Sequence, residues 1–332
     1  MKTLENVPIS TITTMRLGGV ARYVIDIEKP EEIPEAYDFA KLYHLPVFIL
    51  GGGANTIGRD EGFPGVILRN TIKGVNVSGT SVHAMGGEVW DDVVAAACKN
   101  DLTGIEALSK IPGTAGAAPV QNIGAYGQDI SQVLDNVEVY DTVDKAFKTL
   151  SNKDLQFAYR KSILNSGERG RYFVVAITLA LKKGQMKRPF YNSLEKYIEQ
   201  NDETDFSPAS IRRMVSEIRG DKLPDPATTP SAGSFFKNIY VSDKVAEDFE
   251  MRGYPVYRSA SGNKVNTGWL IEKAGLSGKV FHGMRVNEKA ALVLINESAK
   301  SYADLAAARN EIANAVYDKF GLKLEQEPVE IC

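Results

Sequence analysis

Between Ile111 and Gly127 the chain reads IPGTAGAAPVQNIGAYG, with four glycines, four alanines and no charged residue. A solvent loop is more polar than this, and a helix does not tolerate such a density of glycine and proline. Small side chains leave backbone N–H groups open to a bulky, flat, anionic cofactor, whose heterocycle edge could meet the amides of Gln121 and Asn122. The competing reading is a glycine-rich turn packed under its neighbours. A second segment, Gly51-Gly52-Gly53-Ala54-Asn55, follows the apolar run Leu45 to Leu50. Residues without a Cβ let the backbone approach a phosphate and turn its N–H groups toward it. A tight turn explains the same residues. The segment is not a G-x-G-x-x-G fingerprint, since Thr56 stands where the third glycine belongs.

Three polar residues stand out beyond these segments. Arg160, in Tyr159-Arg160-Lys161-Ser162, has the planar fork that holds a carboxylate at two points, although a surface arginine is the commoner case. Ser234 follows Gly233 and could donate a proton, but a free hydroxyl is a poor acid without help. In isolation it reads better as a turn serine leading into two core aromatics, Phe235 and Phe236. Glu327 closes Glu325-Gln326-Glu327-Pro328, either as an exposed carboxylate or as a buried acid or base. No G-x-S-x-G surrounds Ser234, and His44, His83 and His282 lack the context of a hydrolase triad. The histidines and Cys98 show no metal-ligand spacing. Tyr191 and Tyr197, near a polar stretch, fit surface, core or substrate contact equally well.

Elements that could position these residues are legible in outline. A strand is predicted at 22–27, then a helix begun by Pro30 with Ile33, Tyr37 and Ala40 on its apolar face. Strands follow at Leu45–Leu50 and Gly65–Leu68, an α/β start. From about residue 71 short strands are predicted at Gly74–Val77, Ser81–Met85, Val137–Tyr140 and Tyr172–Leu181, with a helix at Trp90–Lys99. Residues 184–222 are polar and less regular, with a helix from Pro208 to Arg219. After Pro224-Asp225-Pro226 come a helix near Thr267–Ala274, a strand at Ala291–Asn296 and a last helix. Ser301 and Asp304 resemble a capping box for that helix. Leu305, Ala308, Ile312, Val316 and Phe320 form its apolar stripe, and Gly321 ends it.

The chain has 332 residues, 43% hydrophobic and 24% charged, with net charge −3. This is an ordinary globular composition of two or three domains. It gives no reason to expect a nucleic-acid or acidic-membrane partner. Two cysteines without C-x-x-C spacing, and no apolar leader after Met1, predict a soluble, cytoplasmic protein. The longest apolar run, Phe173 to Leu181, is too short to cross a membrane and reads as a buried strand.

Taken in order, the segments resemble one family, the UDP-N-acetylenolpyruvoylglucosamine reductases (the MurB family, in its longer subtype with a tyrosine loop). The match runs over nearly the whole chain. It takes in Leu50–Asn55, Gly86-Gly87-Glu88-Val89-Trp90, Gly104-Ile105-Glu106, Ile111–Gly127 and Tyr159–Ser162. It continues through Lys222–Pro226, Ala232–Asn238, Gly268-Trp269-Leu270-Ile271, Ala291–Asn296 and Glu327. The resemblance implies an α+β chain: a vanillyl-alcohol-oxidase-type (PCMH-type) FAD-binding fold of two subdomains, plus a C-terminal α+β substrate-binding domain. Residues 1–70, with the tail 322–332 returning to them, would form the first subdomain. Residues 71–222, including a substrate loop at 184–207, would form the second, and 223–321 the substrate domain.

The implied reaction is NADPH-dependent reduction of UDP-N-acetylglucosamine enolpyruvate to UDP-N-acetylmuramate through non-covalent FAD. By matching position, Gly51, Gly52, Gly53, Ala54, Asn55, Ile111, Pro112, Gly113, Thr114, Gly116, Ala117, Ala118, Gln121, Asn122, Gly124 and Arg219 would hold the FAD. Ser234 would supply the proton, while Arg160 and Glu327 would polarise the substrate carboxylate. For Glu327 to act as an acid it must be protonated, which a dry site favours. Tyr191, Lys222, Asn238 and Tyr257 would bind the UDP part. Ser277, Asn287 and Pro328 depart from residues common in the family. The chain is expected to be a monomer without a metal.

Two other readings were open. A sugar or alcohol oxidase on the same fold has no need of a proton donor at Ser234. A non-catalytic nucleotide-binding regulator has no need of Arg160, Ser234 and Glu327 together.

Overall fold

The computed structural model describes residues 1–259 and 262–331. The chain forms two compact units. The first holds Met1–Val7, Val20–Gly53 and Phe63–Asp221, and the second holds Pro8–Gly19, Ala54–Gly62 and the segment from Lys222 onward.

In the first unit, a four-stranded sheet runs in the order Lys2–Pro8, Val20–Ile27, Phe63–Asn70, Val47–Leu50. Phe63–Asn70 pairs in parallel with both Val20–Ile27 and Val47–Leu50. A parallel connection needs a crossover, and helix Glu32–Leu42 supplies it, burying Ile33, Ala36 and Ala40. Its start is held by Glu32, whose carboxylate accepts the N–H of Glu28 at 2.8 Å and of Lys29 at 3.2 Å.

A five-stranded antiparallel sheet follows, ordered Ala146–Ser151, Leu134–Asp141, Tyr172–Ala180, Ser81–Met85, Val75–Ser78. Tyr172–Ala180 is its central strand and is buried on both faces, which accounts for its continuous apolar run. Phe173 and Val175 face the core of the four-stranded sheet. Val174, Ile177 and Leu179 face a second core built with Trp90, Val93, Val94 and Ala97 of helix Trp90–Lys99. The pairing skips Val175 between Val174 and Ala176. This one-residue bulge shifts the alternation of faces by a step.

The polar stretch 184–207, expected to be irregular, contains a helix at Asn192–Gln200. Its buried Leu194 and Ile198 pack with Phe190 on Ile211, Met214, Val215 and Ile218 of helix Pro208–Lys222. Arg212 of the latter helix grips Asp91 at two points, 2.6 and 2.9 Å.

The second unit has a four-stranded sheet ordered Ser231–Ser234, Val293–Asn296, Met284–Val286, Val280–Phe281, and a three-stranded sheet ordered Ile239–Val241, Gly262–Val265, Tyr257–Ser259. Helix Tyr302–Phe320 buries Leu305, Ala308, Ile312, Val316 and Phe320, the stripe expected from spacing, behind a capping box of Ser301 and Asp304. Asp60 accepts the N–H groups of Tyr302 at 2.6 Å and Ala303 at 2.9 Å, a carboxylate at the positive end of the helix dipole. The strand Val329–Ile331 pairs in parallel with Thr56–Gly58. Among the described residues, no helix is long and apolar enough to cross a membrane.

Candidate active site

In the first unit the two glycine segments meet. A Cβ on Gly51 would lie 2.7 Å from Thr114 Oγ1 and 3.1 Å from Ala117 Cβ, and one on Gly52 would lie 3.2 Å from Gly113 Cα. A side chain at Gly51 would have to displace Thr114, and one at Gly52 would press on Gly113, so glycine suits this approach. Segment 111–127 is fixed from below. Ala115 and Ala118 sit in the core beneath helix Trp90–Lys99. The N–H of Ala115 bonds Glu88 O at 2.8 Å, that of Gly116 bonds Gly86 O at 2.8 Å, and that of Trp90 bonds Gly113 O at 3.1 Å. What remains facing outward is backbone and small side chains.

Two polar atoms at this cradle are shut off from solvent without a hydrogen-bond partner among the described residues: Thr114 Oγ1 and Arg219 Nε. Buried polar atoms are normally paired, because an unmade bond costs about 1–3 kcal/mol. Their orphaning fits a bound acceptor-rich group such as a diphosphate. Arg219 also donates to Lys110 O at 3.2 Å. Burial pulls its guanidinium below its usual value, opposed by the hydroxyl of Tyr126.

Asn122 plays a different part from the one expected. Its amide nitrogen donates to Ala158 O at 3.2 Å, and its amide oxygen accepts from Ser131 N at 3.2 Å. Both ends of the amide thus help to shape the loop. Arg160 lies over the same stretch, donating to Gly124 O at 3.1 Å and Asn122 O at 3.4 Å. Its backbone is left-handed, at φ +52. The turn is fastened by Asn165, which donates to Arg160 O at 3.1 Å, and by Ser162, which donates to Val120 O at 2.7 Å. The guanidinium is therefore held by the glycine-rich segment itself. Tyr191 joins from the 184–207 stretch, its ring edge-on to Tyr126 at 5.8 Å.

In the second unit, Ser234 ends a strand that bulges between the Ser231–Ile295 and Ser234–Val293 pairs. Gly233, at φ +68, supplies the left-handed residue. Phe235 and Phe236 are core residues, as the bland reading of this segment held. The segment pairs with the tail: Phe236 bridges Gln326, Glu327 N–H bonds Phe235 O at 2.9 Å, and Lys237 N–H bonds Glu325 O at 2.9 Å. Ser234 and Glu327, 93 positions apart in the sequence, thus lie on adjacent paired segments. Glu327 is half-buried rather than exposed. Asn238 accepts Thr267 N–H at 3.1 Å. The Tyr257 ring is half exposed under Lys264 Nζ, 5.5 Å away. Lys222 O accepts from Asn287 at 3.1 Å. Ala54 and Asn55 belong to this unit, with Asn55 O accepting Val329 N–H at 3.0 Å.

Comparison with known proteins bears directly on this arrangement. Residues 21–148 match the model of an FAD binding domain, and residues 225–331 match that of the UDP-N-acetylenolpyruvoylglucosamine reductase C-terminal domain. The reductase of that name from Alcanivorax borkumensis is 38% identical over 291 residues, spanning 86% of this chain and 84% of its own. The one from Ralstonia nicotianae is 35% identical over 336 residues, 98% of each chain. The chain belongs to the UDP-N-acetylenolpyruvoylglucosamine reductase family. The crystal structure of a reductase of this name from Thermus caldophilus has the same fold, with a TM-score of 0.70 at 24% identity over 99% of both chains. The fold is accordingly the PCMH-type FAD-binding architecture with a C-terminal domain. Membership of the reductase family disfavours the oxidase alternative.

Sequence reasoning overlooked Tyr126, whose ring meets Tyr191 and whose hydroxyl faces Arg219. Its signal was available, since it is the single aromatic in a seventeen-residue run of small residues. Asp91, which anchors Arg212 and accepts Lys110 N–H at 2.6 Å, left no comparable trace. Nor did Glu330. It accepts from Arg59 at 2.9 Å, Tyr302 at 2.6 Å, Gln326 at 3.2 Å and Arg309 at 3.3 Å. Burial works to raise the Glu330 carboxyl, but these hydrogen bonds and charges prevail and hold it below its ordinary value.

Proposed function

We propose that this chain reduces the enolpyruvyl ether of UDP-N-acetylglucosamine enolpyruvate to the lactyl ether of UDP-N-acetylmuramate, with NADPH as reductant and non-covalently held FAD. The observation that carries the reading is the backbone pairing of 235–237 with 325–327, which brings the segments bearing Ser234 and Glu327 together in a chain of this family. The segments 51–55 and 111–124 would hold the FAD, with Thr114 Oγ1 and Arg219 meeting its phosphates. FAD held there would supply the hydride chemistry that links NADPH to the terminal carbon of the enolpyruvyl group.

The chain's own residues handle the charge this creates. Hydride addition leaves negative charge on the carbon beside the substrate carboxylate. Arg160, already fixed by two backbone carbonyls, offers a preorganised cation to that carboxylate and loses little freedom on binding it. Glu327 supports the enolic form as a hydrogen-bond donor. Ser234 gives its proton to the adjacent carbon and completes the addition. Tyr191, Lys222, Asn238 and Tyr257 bind the UDP part, Lys222 as a point charge on the diphosphate.

Anaerobic spectroscopy tests the reading. NADPH should bleach the flavin, and the enolpyruvyl substrate should restore its colour. Ser234→Ala should be bleached at the parent rate, with recolouring about 10²–10⁴-fold slower, the usual weight of a general acid. Recolouring of Ser234→Ala at the parent rate would remove Ser234 from the chemistry.

A further inference from the structure

The tail carrying Glu327 is clamped on the side chains that flank it. Gln326 is bound at both ends of its amide. Its oxygen accepts Arg309 Nη1 at 2.9 Å, and its nitrogen donates to Pro328 O at 2.9 Å and Glu330 at 3.2 Å. Glu330 is in turn fixed by Arg59, Tyr302 and Arg309. These anchors come from the 54–62 segment and from helix Tyr302–Phe320, both in the second unit. Residues 326 and 327 lie in an extended pairing with Phe236 and Phe235, where successive side chains point to opposite sides. Fixing Gln326 on one side therefore aims Glu327 to the other. Pro328 adds to this, since the residue before a proline is confined to extended backbone.

We propose that Gln326, Arg309 and Glu330 form a positioning clamp for Glu327, with Pro328 as its backbone stop. They are positioning residues, because they act through Glu327 without touching the substrate. The inference rests on the role given to Glu327 under the proposed function. A clamp of this kind serves the proton-linked half of the reaction, the recolouring of bleached flavin by the enolpyruvyl substrate. It has no part in bleaching by NADPH. A shift of about 1 Å in a reacting group can cost up to about a hundredfold in rate, so a loosened tail has a measurable signature.

The test is a double-mutant cycle in the full chain with flavin bound. Gln326→Leu should slow recolouring about tenfold or more, leave bleaching by NADPH within about twofold, and change kcat more than KM for the enolpyruvyl substrate. Arg309→Lys, which keeps a cation for Gln326 and Glu330, should retain more of the recolouring rate than Arg309→Met. Placed in a Glu327→Gln background, Gln326→Leu should have almost no further effect, because its target is already gone. A purely structural role would instead give multiplying losses in both half-reactions. Full additivity, or equal slowing of bleaching and recolouring, overturns the clamp while leaving Glu327 in place. A Glu327→Gln chain that recolours at the parent rate overturns both the clamp and the role assigned to Glu327. Should Gln326→Leu fail to fold, Glu330→Gln, which keeps shape and removes charge, carries the same cycle with the same outcomes.

Discussion

The glycine cradle of the first unit and the pairing of 235–237 with 325–327 in the second make different demands on their residues. In the cradle, segments 51–52 and 113–117 approach so closely that a Cβ on Gly51 would lie 2.7 Å from Thr114 Oγ1 and one on Gly52 would lie 3.2 Å from Gly113 Cα. The pairing is a backbone contact that brings the segments carrying Ser234 and Glu327 together. The first kind of site is indifferent to side-chain chemistry and intolerant of volume. The second has the reverse sensitivity. Four measurements can break or sharpen this contrast.

The largest effect belongs to volume in the cradle. Gly51→Val forces atoms onto Thr114 and Ala117, at a cost of about 1–3 kcal/mol of strain. If the strain is relieved by parting the two segments, flavin affinity should fall about ten- to a hundredfold, read as the ratio of flavin to protein absorbance. Retention of full flavin would mean that the close approach is not needed.

Chemistry in the cradle should matter at a single point. Thr114→Val keeps the shape and removes the orphaned hydroxyl. Without flavin the variant should be as stable as the parent or slightly more so, since an unpaired buried oxygen is gone. With flavin, affinity should drop about tenfold, the worth of one hydrogen bond to a charged group. Equal flavin affinity in a titration would show that the hydroxyl meets nothing.

The sheet under the cradle carries its own sensitivity, to acid. Asp141 is buried and accepts from Arg171 at 2.8 and 3.0 Å and from Lys148 at 2.8 Å. The Arg171 hydrogen bonds, opposed by burial and aided by Lys148, hold its carboxyl well below the usual carboxylate range. With the folded value depressed, the stabilisation is complete above the unfolded value of about 3.9 and is lost as pH falls below it toward the folded value. Asp141→Asn should lower Tm by several degrees at pH 7, and the gap to the parent should narrow toward pH 3. A constant gap across that range would deny the linkage.

The smallest effect lies far from either site. Ser301→Ala removes a capping box from helix Tyr302–Phe320 and should cost about 1 kcal/mol in a denaturant titration. Flavin content and both half-reactions should not change.

Legibility followed the range of the interactions. Helix Tyr302–Phe320 was readable because its stripe, cap and stop are all local. The strand Tyr172–Ala180 was readable because burial on both faces leaves an unbroken apolar run. Helix Asn192–Gln200 was hidden because only Leu194 and Ile198 are buried on it, and their partners lie on another helix. The edge strand Ala146–Ser151 alternates between half-buried and exposed residues, and it too escaped. Both glycine segments were visible in the sequence, but their mutual contact was not. Ser234 and Glu327 were each ambiguous alone, and the pairing of their two segments was not visible. The loop bonds of Asn122, to Ala158 and Ser131, were hidden because these partners are brought to it only in three dimensions.

The interleaving of the two units carries a consequence for how the chain acquires its structure. Arg59 and Glu330 are 271 positions apart, and the strand at 329–331 finds its partner at 56–58. During synthesis, residues 54–62 can meet residues 8–19 at once, with Gly19 N–H on Arg59 O at 2.8 Å, but they leave the ribosome long before their strand partner at 329–331 exists. Closing so large a loop is slow, so the second unit should be the last to form. A fragment starting at residue 222 would lack two of its strips and should not fold by itself.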